Sequence, residues 1–193
     1  VLVAYSAAMK VRDDEVAMAI EMGGLTFTPG TYRSGSAINF AHGTTVTLDA
    51  QGNSDGVFHF QAGTTLVTAA DTSFNLIGGA RAENGIWTLG SAATLGADSV
   101  LEGSILAGTA ITFGTKSELH GCALAQSAVT FESDGSTNGT PYIEGGVVYE
   151  SGCEPSNFPS SELSSKPSSD PSSNPSGAPS FLPSMMPSQS PSS

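Results

Sequence analysis

Three aligned segments decide the fold of this chain: Ser91-Ala92-Ala93-Thr94-Leu95, Thr109-Ala110-Ile111-Thr112-Phe113 and Ser127-Ala128-Val129-Thr130-Phe131. Their starts are 18 residues apart, and their flanks repeat as well, since 101–103 matches 119–121 and 105–107 matches 123–125. An 18-residue unit with three short apolar strands and glycine at its corners is typical of one turn of a three-sided β-helix. A single unit cannot bury its apolar side, so the repeat predicts a stack of such coils.

Alternation along each strand assigns side chains to the inside or the outside of the stack. Looser copies of the repeat at 36–40, 44–48 and 64–68 extend it upstream. Three rows are predicted to face inward: Ile38, Val46, Leu66, Ala93, Ile111 and Val129; Phe40, Leu48, Leu95, Phe113 and Phe131; and Phe60, Trp87, Ile105 and Ala123. Two rows are predicted to face outward on one side: Ala37, Thr45, Thr65, Ala92, Ala110 and Ala128; and Asn39, Thr47, Val67, Thr94, Thr112 and Thr130. This side carries no charge. We expect the coils to be unequal in length, with a local insertion from Gly78 to Gly85.

Composition divides the chain into three zones and excludes some functions. Residues 1–22 have a helical pattern that ends at Gly23-Gly24, residues 23–153 are strand and turn material, and residues 154–193 are rich in Pro and Ser.

Lys and Arg number 6 against 18 Asp and Glu, which gives a net charge of −12 and argues against a nucleic-acid surface or an anionic membrane. No apolar stretch is long enough to span a bilayer. Because Val1 falls inside the helical pattern, we expect a fragment or a processed form.

The last zone has a strict four-residue period, in which nine of the 11 prolines are each followed by Ser. Such a repeat cannot bury a core and predicts an extended, disordered tail. The tail fits a spacer or wall-anchoring stalk, and equally a passive linker. It resembles the tails of secreted diatom proteins, which implies a microalgal origin.

The middle zone resembles the ice-binding (antifreeze) protein family of the DUF3494 type. The segments that carry the resemblance are 23–32, 47–52, 57–61, 91–96 and 103–107, in the family's order and spacing. The resemblance implies an all-β fold, a right-handed three-sided parallel β-solenoid with one α-helix packed alongside. It further implies a secreted, extracellular monomer that binds ice and inhibits ice growth and recrystallisation. An early coil and an N-terminal cap, found in the family before the helix, are expected to be missing from this sequence.

The resemblance also implies which residues contact ice, because the outward rows fit the family's pattern of Thr or Ser, Ala, any residue and Thr. The candidates are Asn39, Thr45, Thr47, Thr65, Ala92, Thr94, Ala110, Thr112, Ala128 and Thr130. Val67 and Ala37 are less typical of that pattern. Solenoids also carry Thr ladders for stability alone. A cell-surface adhesin or polysaccharide-binding module, which would reach the cell wall or extracellular matrix through the tail, is therefore the alternative.

Other motifs do not indicate catalysis or a cofactor. His42, His59 and His120 have no Cys or carboxylate at metal-ligand spacing, so no metal site is expected. The cleft of a polysaccharide lyase requires clustered basic residues, and the repeat does not bring the basic residues of this chain together. The two cysteines, Cys122 and Cys153, fit either a disulfide or two buried free thiols. Asn138 begins a glycosylation sequon, although Pro141 directly after the sequon disfavours its use.

Overall fold

A computed structural model describes residues 15–137, together with Met9 and the short strand at 142–143. In this part of the chain the regular structure is almost entirely parallel β-strand, and the strands, numbered in chain order, stack into a three-sided solenoid. The predicted solenoid is therefore confirmed. It is interrupted by one 3-10 turn at Ala82–Asn84.

The sides of the solenoid are parallel sheets, and two of the three sides are each a single sheet. The seven-stranded side, called the closed side below, contains β1 (Val16–Ala17), β3 (Gly30–Ser34), β6 (Phe58–Ala62), β9 (Gly85–Leu89), β12 (Ser104–Ala107), β15 (Ala123–Ala125) and β18 (Tyr142–Ile143). The five-stranded side, called the flat side, contains β4 (Ile38–Phe40), β7 (Leu66–Thr68), β10 (Ala93–Leu95), β13 (Ala110–Phe113) and β16 (Ala128–Phe131).

The third side is built from two three-stranded sheets. The first contains β2 (Thr26–Phe27), β5 (Thr45–Asp49) and β8 (Ser73–Ile77), and the second contains β11 (Val100–Glu102), β14 (Glu118–His120) and β17 (Ser136–Thr137). The N–H of Val100 donates a 2.8 Å hydrogen bond to the carbonyl of Thr72, so the second sheet follows the first along the stack.

The strand registers confirm the 18-residue coil for the downstream half of the solenoid. Ala93 pairs with Ile111 and Ile111 with Val129, which are 18 residues apart each time. Upstream the coils are longer, because Ile38 pairs with Leu66 and Leu66 with Ala93, steps of 28 and 27 residues. The extra residues form loops at 50–57 and 78–84 on one corner. The predicted insertion at 78–85 accounts for the second loop, whereas the first loop was not predicted.

One upstream copy of the repeat was assigned to the wrong side. Residues 44–48 belong largely to β5 on the third side, not to the flat side, because β5 follows β4 within the same coil. Val46 and Leu48 are fully buried as predicted, but beneath a different sheet. The step of eight residues from Ile38 to Val46 carries the chain around only one corner, whereas a full coil turns three corners.

Aromatic rings form the centre of the core. Trp87 and Phe60 stack with centroids 4.2 Å apart, and the rings of Phe40 and Phe74 meet Trp87 at an angle. The indole Nε1–H donates a 2.8 Å hydrogen bond to the carbonyl of Glu102, so the buried ring has no unpaired polar atom. At the other end, Phe131 stacks on Phe113 at 4.5 Å but is 38% exposed, contrary to its predicted burial.

The helix predicted for 1–22 is wrong over residues 15–22. Val16 pairs in parallel with Tyr32, Glu21 forms a bridge with Asn39, and Met22 is fully buried beneath the first coil. The segment has good helix formers, but pairing with two sheets overrides this weak local preference. Residues 1–8, 10–14 and the predicted tail at 154–193 lie outside the described residues, as do Asn138 and Cys153.

Candidate functional site

The flat side presents a column of outward side chains in strict register. Successive Cα partners on its five strands form what we call the threonine column: Asn39, Val67, Thr94, Thr112 and Thr130. All five are exposed or half-buried, and the residues directly before and after the first four are buried in the core. Neighbouring strands of a parallel sheet lie about 4.8 Å apart, so the hydroxyls and methyls repeat at that interval.

A second column is formed by the residues two positions before each member of the threonine column. This alanine column consists of Ala37, Thr65, Ala92, Ala110 and Ala128, all half-buried. Ala110 and Ala128 are direct partners, and the carbonyls of Thr65 and Ala92 accept ladder hydrogen bonds of 2.9 and 3.0 Å from Ile38 and Leu66 of the preceding coil. Apart from Thr65, the side chains of this column are alanine methyl groups, which are smaller than the side chains of the threonine column.

A third column lies along the corner shared with the closed side and was not among the predicted site residues. This hydroxyl column consists of Ser36, Thr64, Ser91, Thr109 and Ser127. Backbone hydrogen bonds of 2.7 to 3.1 Å join each member to the next. The signal in the sequence was the first position of every repeat segment, which is Ser or Thr in all five coils of this side.

Charged residues line the opposite corner of the flat side. There each coil turns through one residue in the left-handed region, and four of these are charged and exposed: Asp71, Asp98, Lys116 and Asp134, with φ between 53° and 59°. The turns are closed by hydroxyl groups, as where Ser99 Oγ donates to the Gly96 carbonyl at 2.6 Å. We call these four residues the charged corner, and no member of the three columns is charged.

One carboxylate lies at the end of the threonine column, where Glu21 bridges to Asn39. Its Oε1 accepts hydrogen bonds of 2.9 Å from the N–H groups of Gly23 and Ala41. The Glu21 carboxylate therefore satisfies the backbone of its own turn and that of the next coil, and it marks the upstream limit of the uncharged surface.

The other two sides offer no equivalent surface over all of their coils. The closed side is buried on its outer face too, including Gln61, Thr88, Leu106 and Leu124, each no more than 3% exposed. On the downstream half of the third side, Glu118 is exposed, and His120 Nδ1 lies 2.8 Å from Glu102 Oε1. Of the sides in the described part of the chain, only the flat side is both exposed and uncharged along its whole length.

Eight of the ten predicted contact residues therefore share the flat side: Asn39, Thr65, Ala92, Thr94, Ala110, Thr112, Ala128 and Thr130. Thr45 and Thr47 do not, because β5 forms part of the third side. Cys122 is disulfide-bonded. Within the described ranges, no three His, Cys, Asp or Glu side chains are grouped to hold a metal ion, and no helix is long and apolar enough to cross a membrane.

The fold and site define a β-solenoid protein that presents a flat, uncharged and periodic surface. The chain belongs to the Ice-binding-like family, whose model matches residues 1–137. Its structure is similar to the crystal structure of an ice-binding protein from the Antarctic ascomycete Antarctomyces psychrotrophicus, with a TM-score of 0.65 and 39% identity over 70% of this chain and 66% of that one. It is also similar to a glycosylated ice-binding protein from Arctic yeast, with a TM-score of 0.64 and 28% identity over 76% and 62% of the two chains.

Curated relatives give the same family. The ice-binding protein of Nostoc sp. (strain HG1) is 36% identical over 104 residues, which are 54% of this chain and 38% of that protein. The ice-binding protein of Flavobacterium frigoris (strain PS1) is 38% identical over 86 residues, 45% of this chain and 30% of that protein. The chain thus spans well under half the length of these relatives.

Proposed function

We propose that this chain binds the surface of ice crystals through its flat side and thereby inhibits ice growth and recrystallisation. The observation that carries the proposal is the threonine column, an uncharged row held in one register over five coils. Membership of the Ice-binding-like family supports it, as do the relatives named ice-binding proteins.

The chemistry of the flat side suits a ligand that is uncharged and extends as a regular plane, without a molecular shape of its own. Ice presents only a periodic arrangement of water, and a charged side chain would keep its own hydration shell and disorder the contact. Threonine supplies a methyl group and a hydroxyl group, and its β-branch leaves it few rotamers. A surface that is rigid before binding loses little entropy on adsorption, so many weak contacts add up to strong binding.

The strongest contact is expected on the downstream half of the flat side. Thr94, Thr112 and Thr130 give three consecutive hydroxyls in the threonine column, with alanine beside each of them in the alanine column. Upstream, Val67 has a methyl in place of the hydroxyl, and Asn39 has an amide in place of the threonine side chain. Ice growth between adsorbed molecules becomes curved and is thereby disfavoured, which gives the proposed inhibition.

The test is Thr112→Tyr, in the middle of the three threonines. The larger side chain would stand above the alanine column and hold the flat side away from ice, so thermal hysteresis should fall close to zero. Glu118→Tyr is the matched control, since it adds the same side chain at an exposed position of the third side in the same coil. A folded Thr112→Tyr variant that keeps full activity would contradict the proposal.

The proposed role needs no catalysis, and it implies action outside the cell, where ice forms, in keeping with a secreted monomer. The Pro-Ser tail would serve as a spacer to the cell wall or extracellular matrix, and its composition supports a microalgal source. That tail also favours the alternative, a surface adhesin or polysaccharide-binding module. The alternative predicts a folded chain that is excluded from ice and binds a wall glycan.

A further inference from the structure

The upstream half of the third side carries a second uncharged surface, which the flat-side site does not use. Thr26, Thr47 and Asn75 are Cα partners on β2, β5 and β8, and Thr45 pairs with Ser73 beside them. Thr26, Thr45 and Asn75 are exposed, and the other two are half-buried. We call these five residues the upstream patch. It has the Thr, Ser and Asn composition of the flat side and the same spacing between strands.

Hydrogen bonds link the neighbouring strands of the upstream patch. The hydroxyls of Thr45 and Ser73 lie 2.8 Å apart, and the Thr47 N–H donates a 2.9 Å bond to the carbonyl of Leu25 in the coil above. The next outward position on β5 is Asp49, but its Oδ1 accepts a 2.9 Å hydrogen bond from Gln51 N–H within its own turn. The strands of the patch are thus linked through both backbone and side-chain groups, and its own five side chains are uncharged.

The upstream patch and the flat side cannot lie on one plane. They are separate sheets on different sides of the solenoid, and Asp71 of the charged corner lies on the turn that joins β7 of the flat side to β8. A flat crystal face can touch only one side of such a prism at a time. Two binding surfaces on this frame would therefore take up two different orientations relative to ice.

We propose that the upstream patch is a second ice-contacting surface, which adsorbs to a different crystal plane from the flat side. This inference rests on the proposed function and extends it from one class of plane to two. The patch covers three strands instead of five, so it adsorbs more weakly than the flat side. Its contribution is coverage of a plane on which growth would otherwise continue.

The experiment stains single ice crystals with the fluorescently labelled full chain and records which planes are covered. Wild type and the control Glu118→Tyr should stain two sets of planes. Thr47→Tyr should lose one set and keep the other, while Thr112→Tyr should lose the complementary set. Thr26→Tyr, at an exposed position on the edge strand of the same patch, should repeat the Thr47→Tyr pattern and provides a second variant should Thr47→Tyr unfold.

The outcomes separate the two proposals. Wild-type staining that Thr47→Tyr and Thr26→Tyr leave unchanged, but that Thr112→Tyr abolishes, would overturn the second surface and leave the flat-side function standing. A folded wild-type chain that stains no plane would overturn the flat-side function and the second surface together.

Discussion

Close stacking of the coils can be tested at the corner between the closed side and the flat side. Here Gly35, Gly63, Gly90 and Gly108 lie in one column, and the N–H of Gly90 donates a 2.9 Å hydrogen bond to the carbonyl of Ala62 in the preceding coil. A Cβ added at Gly90 would lie 2.9 Å from the carbonyl carbon of Gly63 and closer still to its oxygen. The obstacle is backbone, so Gly90→Ala must push two coils apart.

The magnitude follows from two opposing effects. Overpacking a tight interior typically costs about 1–3 kcal/mol, whereas replacing Gly by Ala at a compatible backbone conformation stabilises a protein by about 0.4–1 kcal/mol through the unfolded state. Gly90→Ala should therefore lower the free energy of unfolding by about 1–2 kcal/mol. Gly35→Ala is the control in the same column, because no atom lies within 4 Å of its added Cβ. It should be neutral or slightly stabilising.

Thermal and denaturant unfolding of the two variants beside wild type measures this difference. A loss of 1 kcal/mol should lower Tm by about 2–4 °C for a chain of this size. Because Ser91 of the hydroxyl column directly follows Gly90, the Gly90 variant should also lose thermal hysteresis at temperatures where it is folded. Equal stability of Gly90→Ala and Gly35→Ala would refute the stacking geometry.

Three further predictions concern the flat side, the core and the tail. Val67→Thr adds the missing hydroxyl between Asn39 and Thr94 in the threonine column, so thermal hysteresis should rise. Because the position is 39% exposed, the free energy of unfolding should change by less than about 0.5 kcal/mol. An unchanged or lower hysteresis would count against the column. Trp87→Ala removes the fully buried ring at the centre of the aromatic stack and should cost about 3–5 kcal/mol in denaturant unfolding; a cost below about 1 kcal/mol would show that the stack is not the centre of the core. Deletion of 154–193 should leave ice affinity unchanged, and a large loss would place part of the contact in the tail.

The downstream coils could be predicted from sequence because they are close to the minimal repeat. Between Ala93 and Val129 each turn takes 18 residues, so aligned letters are also spatial neighbours. The inward row of Phe60, Trp87, Ile105 and Ala123 followed from the same offsets and is confirmed. The threonines at 94, 112 and 130 were placed in one column by this spacing alone.

The upstream half was harder because its coils carry loops. Sequence similarity of 44–48 to the repeat reflects a shared strand pattern, which occurs on every side of a solenoid and does not specify which side. Only the register Thr47 with Thr26 and Asn75 assigns that strand to the third side. Similarly, the apolar spacing of residues 15–22 fits a helix, but pairing of Val16 with Tyr32 makes the segment a strand.

Partitioning of the intact wild-type chain into a growing ice front, compared with Thr112→Tyr and Glu118→Tyr, tests the central claim most directly. The account predicts that the wild-type and Glu118→Tyr chains are strongly enriched in the ice fraction, while folded Thr112→Tyr, which has lost its flat-side contact, is enriched far less than either. A folded wild-type chain that is excluded from ice, or a Thr112→Tyr variant enriched as strongly as wild type, would contradict it.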